Sequence, residues 1–62
     1  MIEQTIRRIL ARHFPALARA SDEQAREFLR GMMRAAWNGT LTHEGSLCIS
    51  ELGLVLLKRS IN

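Results

Sequence analysis

Twice along this chain apolar residues recur at helical spacing, and after Gly39 they stop doing so. That change of period sets two helices ahead of a final stretch whose state has to be argued separately. In residues 2–14 the repeat is Ile2, Ile6, Ile9, Leu10 and Phe14, with His13 on the same face and Arg7, Arg8 and Arg12 on the outer one. Pro15 cannot sit in a helix interior and steers Phe14 away from helical geometry, so helix A is expected over residues 2–13. Ala16-Leu17-Ala18-Arg19-Ala20 suits either one more turn of helix or an ordered connector. Ser21-Asp22-Glu23-Gln24 then has the form of a capping box, with Asp22 and Glu23 at the positive end of the helix dipole. Helix B is expected over 22–37, burying Ala25, Phe28, Leu29, Met32, Met33 and Ala36, and Asn38-Gly39 supplies a left-handed stop.

A chain of 62 residues forms one domain at most. Burial in a monomer of this size is worth on the order of 90 kcal/mol, and ordering the chain costs about the same. The monomer is therefore marginal.

Nine Lys/Arg against six Asp/Glu give a net charge of +3. The excess lies at the two ends: Arg7, Arg8, Arg12 and Arg19 face only Glu3 in residues 1–20, and Lys58 and Arg59 follow Glu51. Such asymmetry suits an anionic partner, and equally a solvated surface. Arg26, Arg30 and Arg34 stand four residues apart on one side of helix B, with Trp37 near the end of the row. Like charges at that spacing repel mildly. The row reads either as a site for phosphate or an acidic partner, or as a wet face paired with Glu23 and Glu27. Trp37 reads as a core or dimer anchor before a base-stacking platform.

The chain has no phosphate-binding glycine loop, no metal-ligand spacing and no nucleophile–base–acid set, so no cofactor, no metal and no enzymatic activity are expected. His13 on an apolar face reads as a hydrogen-bonded core or interface histidine, and the lone Cys48 as a small buried hydrophobe. No apolar run reaches the ~18 residues that span a bilayer. The N-terminus does not resemble a secretory start, so a reducing cytoplasm is the expected compartment. Asn38-Gly39-Thr40 matches a glycosylation sequon but reads as a turn.

Beyond Gly39, Thr40-Leu41-Thr42 alternates, His43-Glu44-Gly45-Ser46 supplies turn residues and Leu47-Cys48-Ile49 begins a short β-like run. The last stretch admits two readings. Ser50-Glu51 could cap a third helix with Leu52, Val55 and Leu56 inward, whereas Leu54-Val55-Leu56-Leu57 suits a buried strand. Gly53 favours the hairpin, since it weakens a helix and suits a tight turn. The expected fold class is α+β: helix A, helix B and a short antiparallel β hairpin over about residues 46–59.

Helix A, helix B, the turn at His43-Glu44-Gly45-Ser46, the strand Leu47-Cys48-Ile49 and the turn and strand Leu52-Gly53-Leu54-Val55-Leu56 together resemble the body of the HU/IHF family of histone-like DNA-bending proteins. Glu51 and Leu52 stand where that family has a glycine and an aromatic residue. The resemblance implies an intertwined homodimer with a saddle-shaped β surface and an interface of Phe28, Met32, Met33, Trp37, Leu54 and Leu56. It also implies contact with the backbone of duplex DNA through Lys58, Arg59 and some of Arg7, Arg8, Arg12, Arg26, Arg30 and Arg34. With no basic arm after Arg59, wedge insertion into the minor groove is not expected, only salt-sensitive phosphate contact. Two other functions fit the same chain. One is a protein–protein adaptor or inhibitor, of the kind encoded by phages and mobile elements, that meets an acidic host protein through helix B and Trp37. The other is a poisoning partner of a full-length HU-like subunit.

Overall fold

A computed structural model describes the backbone of residues 3–61 and the side chains of residues 3–60. The chain folds as α1 (Gln4–His13), a short 3-10 helix (Pro15–Arg19), α2 (Asp22–Asn38) and α3 (His43–Ile61). Residue 2, the first of the predicted helix A, lies outside the described residues.

The first two helices start and stop where local chemistry directs. The amide of Phe14 still donates to the carbonyl of Leu10, and the backbone then leaves helical geometry at φ −131° before Pro15 opens the 3-10 turn. Ser21 Oγ accepts from the amide of Gln24 at 3.1 Å while the Gln24 side chain accepts from the amide of Ser21 at 2.9 Å, completing the capping box. Gly39, at φ 72°, takes the left-handed conformation that closes α2.

Three helices converge on a small core made of Ile9 and Leu10 from α1, Ala25 and Met32 from α2, and Cys48 and Leu52 from α3. Phe14 and Phe28 pack beside it with ring centroids 4.8 Å apart. Met33 and Ala36, expected in the buried stripe of helix B, are exposed. Polar clasps tie the helices at the rim. Arg7 donates to Asp22 at 3.0 Å and to the carbonyl of Ala20 at 2.6 Å, fixing α1 against the connector. His13 joins α1 to α3, its Nδ1 lying 2.6 Å from Glu44 and its Nε2 2.9 Å from Glu51. Arg12 pairs with Glu51, and Arg59 near the end of α3 pairs with Glu3 at the start of α1.

The β hairpin expected over 46–59 is not present, and the described residues contain no strand. The α+β fold class and the HU/IHF resemblance are both overturned by the single α3 helix that replaces the hairpin. Its start lies earlier than Ser50: Thr42 Oγ accepts from the amide of Gly45 at 3.1 Å, as an N-cap does, and Glu44 sits in the first turn. Gly45 is a packing residue rather than a turn residue. A Cβ there would lie 2.7 Å from Leu41 Cδ1 and 3.1 Å from Thr42 Oγ1.

Gly53 lies inside α3. It disfavours the helix by about 1 kcal/mol, while full burial of a side chain the size of Leu52 contributes about 1.5–3 kcal/mol. The packing of Leu52 and Cys48 against α1 and α2 therefore outweighs the glycine. An isolated two-stranded hairpin has no comparable support. The interlocked saddle dimer, which required strands to share, is removed as well, and the reading as a poisoning partner of an HU-like subunit goes with it.

Candidate functional site

The cations expected to touch DNA are divided among three helices. Arg7, Arg8 and Arg12 belong to α1, Arg26, Arg30 and Arg34 to α2, and Lys58 and Arg59 to the last turn of α3. Half of them are engaged within the chain: Arg7 with Asp22, Arg12 with Glu51, Arg30 with Glu27 at 3.0 Å, and Arg59 with Glu3. Lys58 and Arg59 therefore do not stand at the root of an arm, and no saddle gathers the rest. Backbone binding to duplex DNA as the main function is corrected on these grounds, because the exposed surface is marked by large apolar side chains rather than by a continuous basic patch.

Those side chains are Met33, Trp37, Leu47, Leu54, Leu56 and Leu57. Of the six residues expected at an interface, Met32 lies in the protein's own core and Phe28 is half-buried against Phe14. Met33, Trp37, Leu54 and Leu56 are exposed. Trp37 is 90% exposed, the most open of the large apolar residues. It follows Met33 by one helical turn and Arg34 by three residues, so all three share one side of the last turns of α2. Along the same side the Arg26 and Arg34 guanidinium groups form no ion pair among the described residues, and Arg30 is held only by Glu27.

Between the helices runs an apolar groove of about 220 Å³, lined by Ile6 of α1, Leu29 and Met33 of α2, and Ile49, Leu52, Gly53 and Leu56 of α3. No lining residue is charged or polar. A second depression, of about 350 Å³, lies on the other side of α2 between Phe28, Gly31, Ala35 and Leu41. A third, of about 310 Å³, carries Arg7, Arg8, Gln4 and Asp22, with Arg7 already held by Asp22. None of the three brings together a nucleophile, a base and an acid.

Cys48 is fully buried, and burial pushes its thiol above the ordinary value of 9.0, with the neighbouring Glu44 acting in the same direction. A thiol in that setting is a packing group rather than a nucleophile. His13, with both ring nitrogens committed to Glu44 and Glu51, is likewise a structural clasp. Among the described residues no group of three or more His, Cys, Asp or Glu side chains converges to hold a metal ion. No described helix is long and apolar enough to cross a membrane.

Leu47, Gly53 and Leu57 are surface features that the hairpin reading could not show. Drawn as a helix, residues 46–57 place Ser46, Leu47, Ser50, Gly53, Leu54 and Leu57 on one uncharged outward arc. Compared with protein-family models, curated proteins and solved structures, this chain matches none of them.

Proposed function

We propose that this protein is a non-enzymatic protein–protein adaptor or inhibitor that acts in a reducing cytoplasm and grips an acidic segment of another protein with α2. The observation that carries this reading is the exposed Trp37 at the end of a row of arginines of which Arg26 and Arg34 are unpaired among the described residues. An indole left in water gains most when a partner covers it, and Trp and Arg are the residue types that dominate interface energetics. Arg26, Arg30 and Arg34 supply the charge that steers an acidic partner and sets its register. The free, buried Cys48 suits a compartment that keeps thiols reduced.

Affinity capture with the tagged chain, followed by mass spectrometry and titration of the recovered partner, tests the reading. Trp37 is the only tryptophan, so its own emission reports binding by shifting to shorter wavelength. A partner with an acidic binding segment should lose at least tenfold in affinity to Trp37→Ala and a similar factor to the double change Arg26→Glu, Arg34→Glu. Raising the salt should weaken the wild-type complex. A recovered partner that binds both variants as well as the wild type would sink the proposal.

A further inference from the structure

We propose that two copies of this chain pair through the outer face of α3, crossing in antiparallel fashion at Gly53, and that each copy fills the apolar groove of the other.

The first observation is that α3 is apolar on opposite sides. Cys48 and Leu52 are buried against α1 and α2, while Leu54 and Leu57, pointing the other way, are 62% and 56% exposed. A helix apolar on two opposite sides has one face more than its own chain covers. The second is Gly53. It has ordinary helical backbone geometry, since Gly39 is the one glycine at positive φ among the described residues, so no turn requires it. Apart from its chain neighbours and the backbone of its own helix turns, a Cβ built on Gly53 meets nothing within 4 Å among the described residues. The missing side chain therefore serves no contact inside the monomer. What it permits is close approach by a backbone from outside, over the groove that Gly53 helps to line.

The occupant follows from charge and from register. The groove is lined by Ile, Leu, Met and Gly alone, so it offers nothing that an acidic or basic ligand would recognise. The outward arc from Ser46 to Leu57 carries no charge, whereas the unpaired Arg26 and Arg34 stand on α2. Two molecules of net charge +3 can therefore join α3 to α3 without setting like charges face to face. In an antiparallel crossing centred on residue 53, each residue a given number of steps after Gly53 lies opposite the residue the same number of steps before it. Leu57 of one copy is thereby set against Ile49 of its partner, a residue that lines the groove. A knob from each chain meets the hole of the other, as an isologous two-fold interface requires. The area available from Leu54, Leu56, Leu57 and the groove floor on α3 is on the order of 400 Å² per copy, below the ~800 Å² per partner of a standard interface. The dimer is accordingly expected to dissociate in the micromolar range.

Sedimentation equilibrium on the full chain, from about 1 to 500 μM, reads the outcome against the monomer mass of 7.1 kDa. The wild type should double in mass across this range. Leu57→Glu and Gly53→Leu, both at exposed positions, should raise the dimer dissociation constant at least tenfold while keeping the circular dichroism of a helical protein. Gly53→Cys should form a disulfide-linked dimer under mild oxidation much faster than Gly31→Cys, an equally exposed helical position outside the crossing, because the crossing holds the two thiols within bridging distance. A wild-type chain that stays at the monomer mass throughout overturns the proposal, as does a dimer indifferent to both Gly53→Leu and Leu57→Glu. Trp37→Ala should leave dimerisation unchanged, so failure of the dimer and failure of the α2 partner reading are read separately.

Discussion

Cys48 is the residue on which the three helices close, and its chemistry follows from that position. It is one of the two large side chains fully shut off from solvent, the other being Leu10. Burial raises the thiol above its ordinary 9.0, so the folded state favours the protonated form more than the unfolded chain does. Linkage then fixes the sign: the stabilisation is complete below pH 9.0 and declines as pH rises through the higher folded-state value. The folded protein should accordingly resist alkylation at pH 8 and react at the rate of a free thiol only in denaturant. A folded-state rate equal to the denatured one would show that the thiol is open. Replacing Cys48 with Ala should flatten the alkaline decline measured by urea titration at pH 8 and pH 10. His13 is legible as a hydrogen-bonded core or interface histidine from its place on an apolar face, but its two carboxylate partners, Glu44 and Glu51, lie 31 and 38 residues away in sequence and no local pattern announces them.

At the scale of elements, the glycines of α3 show why the same residue type can mislead. Gly45 and Gly53 both suggest turns in a one-dimensional reading, yet both lie within one helix. Their roles differ. A Cβ at Gly45 would run into Leu41 and Thr42 next to the N-cap, whereas one at Gly53 would meet open space. Gly45→Ala should therefore be less favourable than Gly53→Ala by about 1 kcal/mol, since Leu41 and the Thr42 hydroxyl must shift to admit the methyl, while Gly53→Ala, measured at sub-micromolar concentration where the chain is a monomer, should stabilise the protein by about 0.5–1 kcal/mol. Thermal and urea unfolding of the two variants side by side would check the contrast. Equal and opposite-to-expected shifts would mean that α3 is not packed as described. α1 and α2, in comparison, carry their boundaries in plain view, through Pro15, the Ser21–Gln24 box and Gly39.

For the molecule as a whole, the ends of the outer helices are tied together by Glu3 and Arg59, 56 residues apart in sequence. The hydrogen bond from Arg59 holds the Glu3 carboxyl below its ordinary 4.5, and the guanidinium charge adds to the effect. A lowered folded-state value gives stability that is present above pH 4.5 and is lost as pH falls through that lower value. Glu3→Gln should remove this part of the acid dependence without changing the helix content at neutral pH, as read by circular dichroism between pH 2 and 7. An acid profile superimposable on that of the wild type would show the clasp to be inert. Both partners are exposed, so the effect should also shrink as salt is added.

The amino-acid sequence by itself determined the two N-terminal helices, the break at Pro15, the capping box and the left-handed stop at Gly39, because each rests on neighbours within one or two turns. It also set the arginines of α2 in one row along the helix, whereas Trp37, which reads in the sequence as a core or dimer anchor, stands 90% exposed in the fold. The state of residues 43–61 was decided by tertiary structure alone. Locally, two glycines and a run of branched apolar residues balance helix against strand to within about 1 kcal/mol. The balance is tipped by Cys48 and Leu52 packing on Ile9, Leu10, Ala25 and Met32, and by Glu44 and Glu51 reaching His13, contacts between residues distant in the chain. Once α3 is a helix, its leucines point both ways, and an apolar face that no single-chain pattern could reveal is left open to a second molecule.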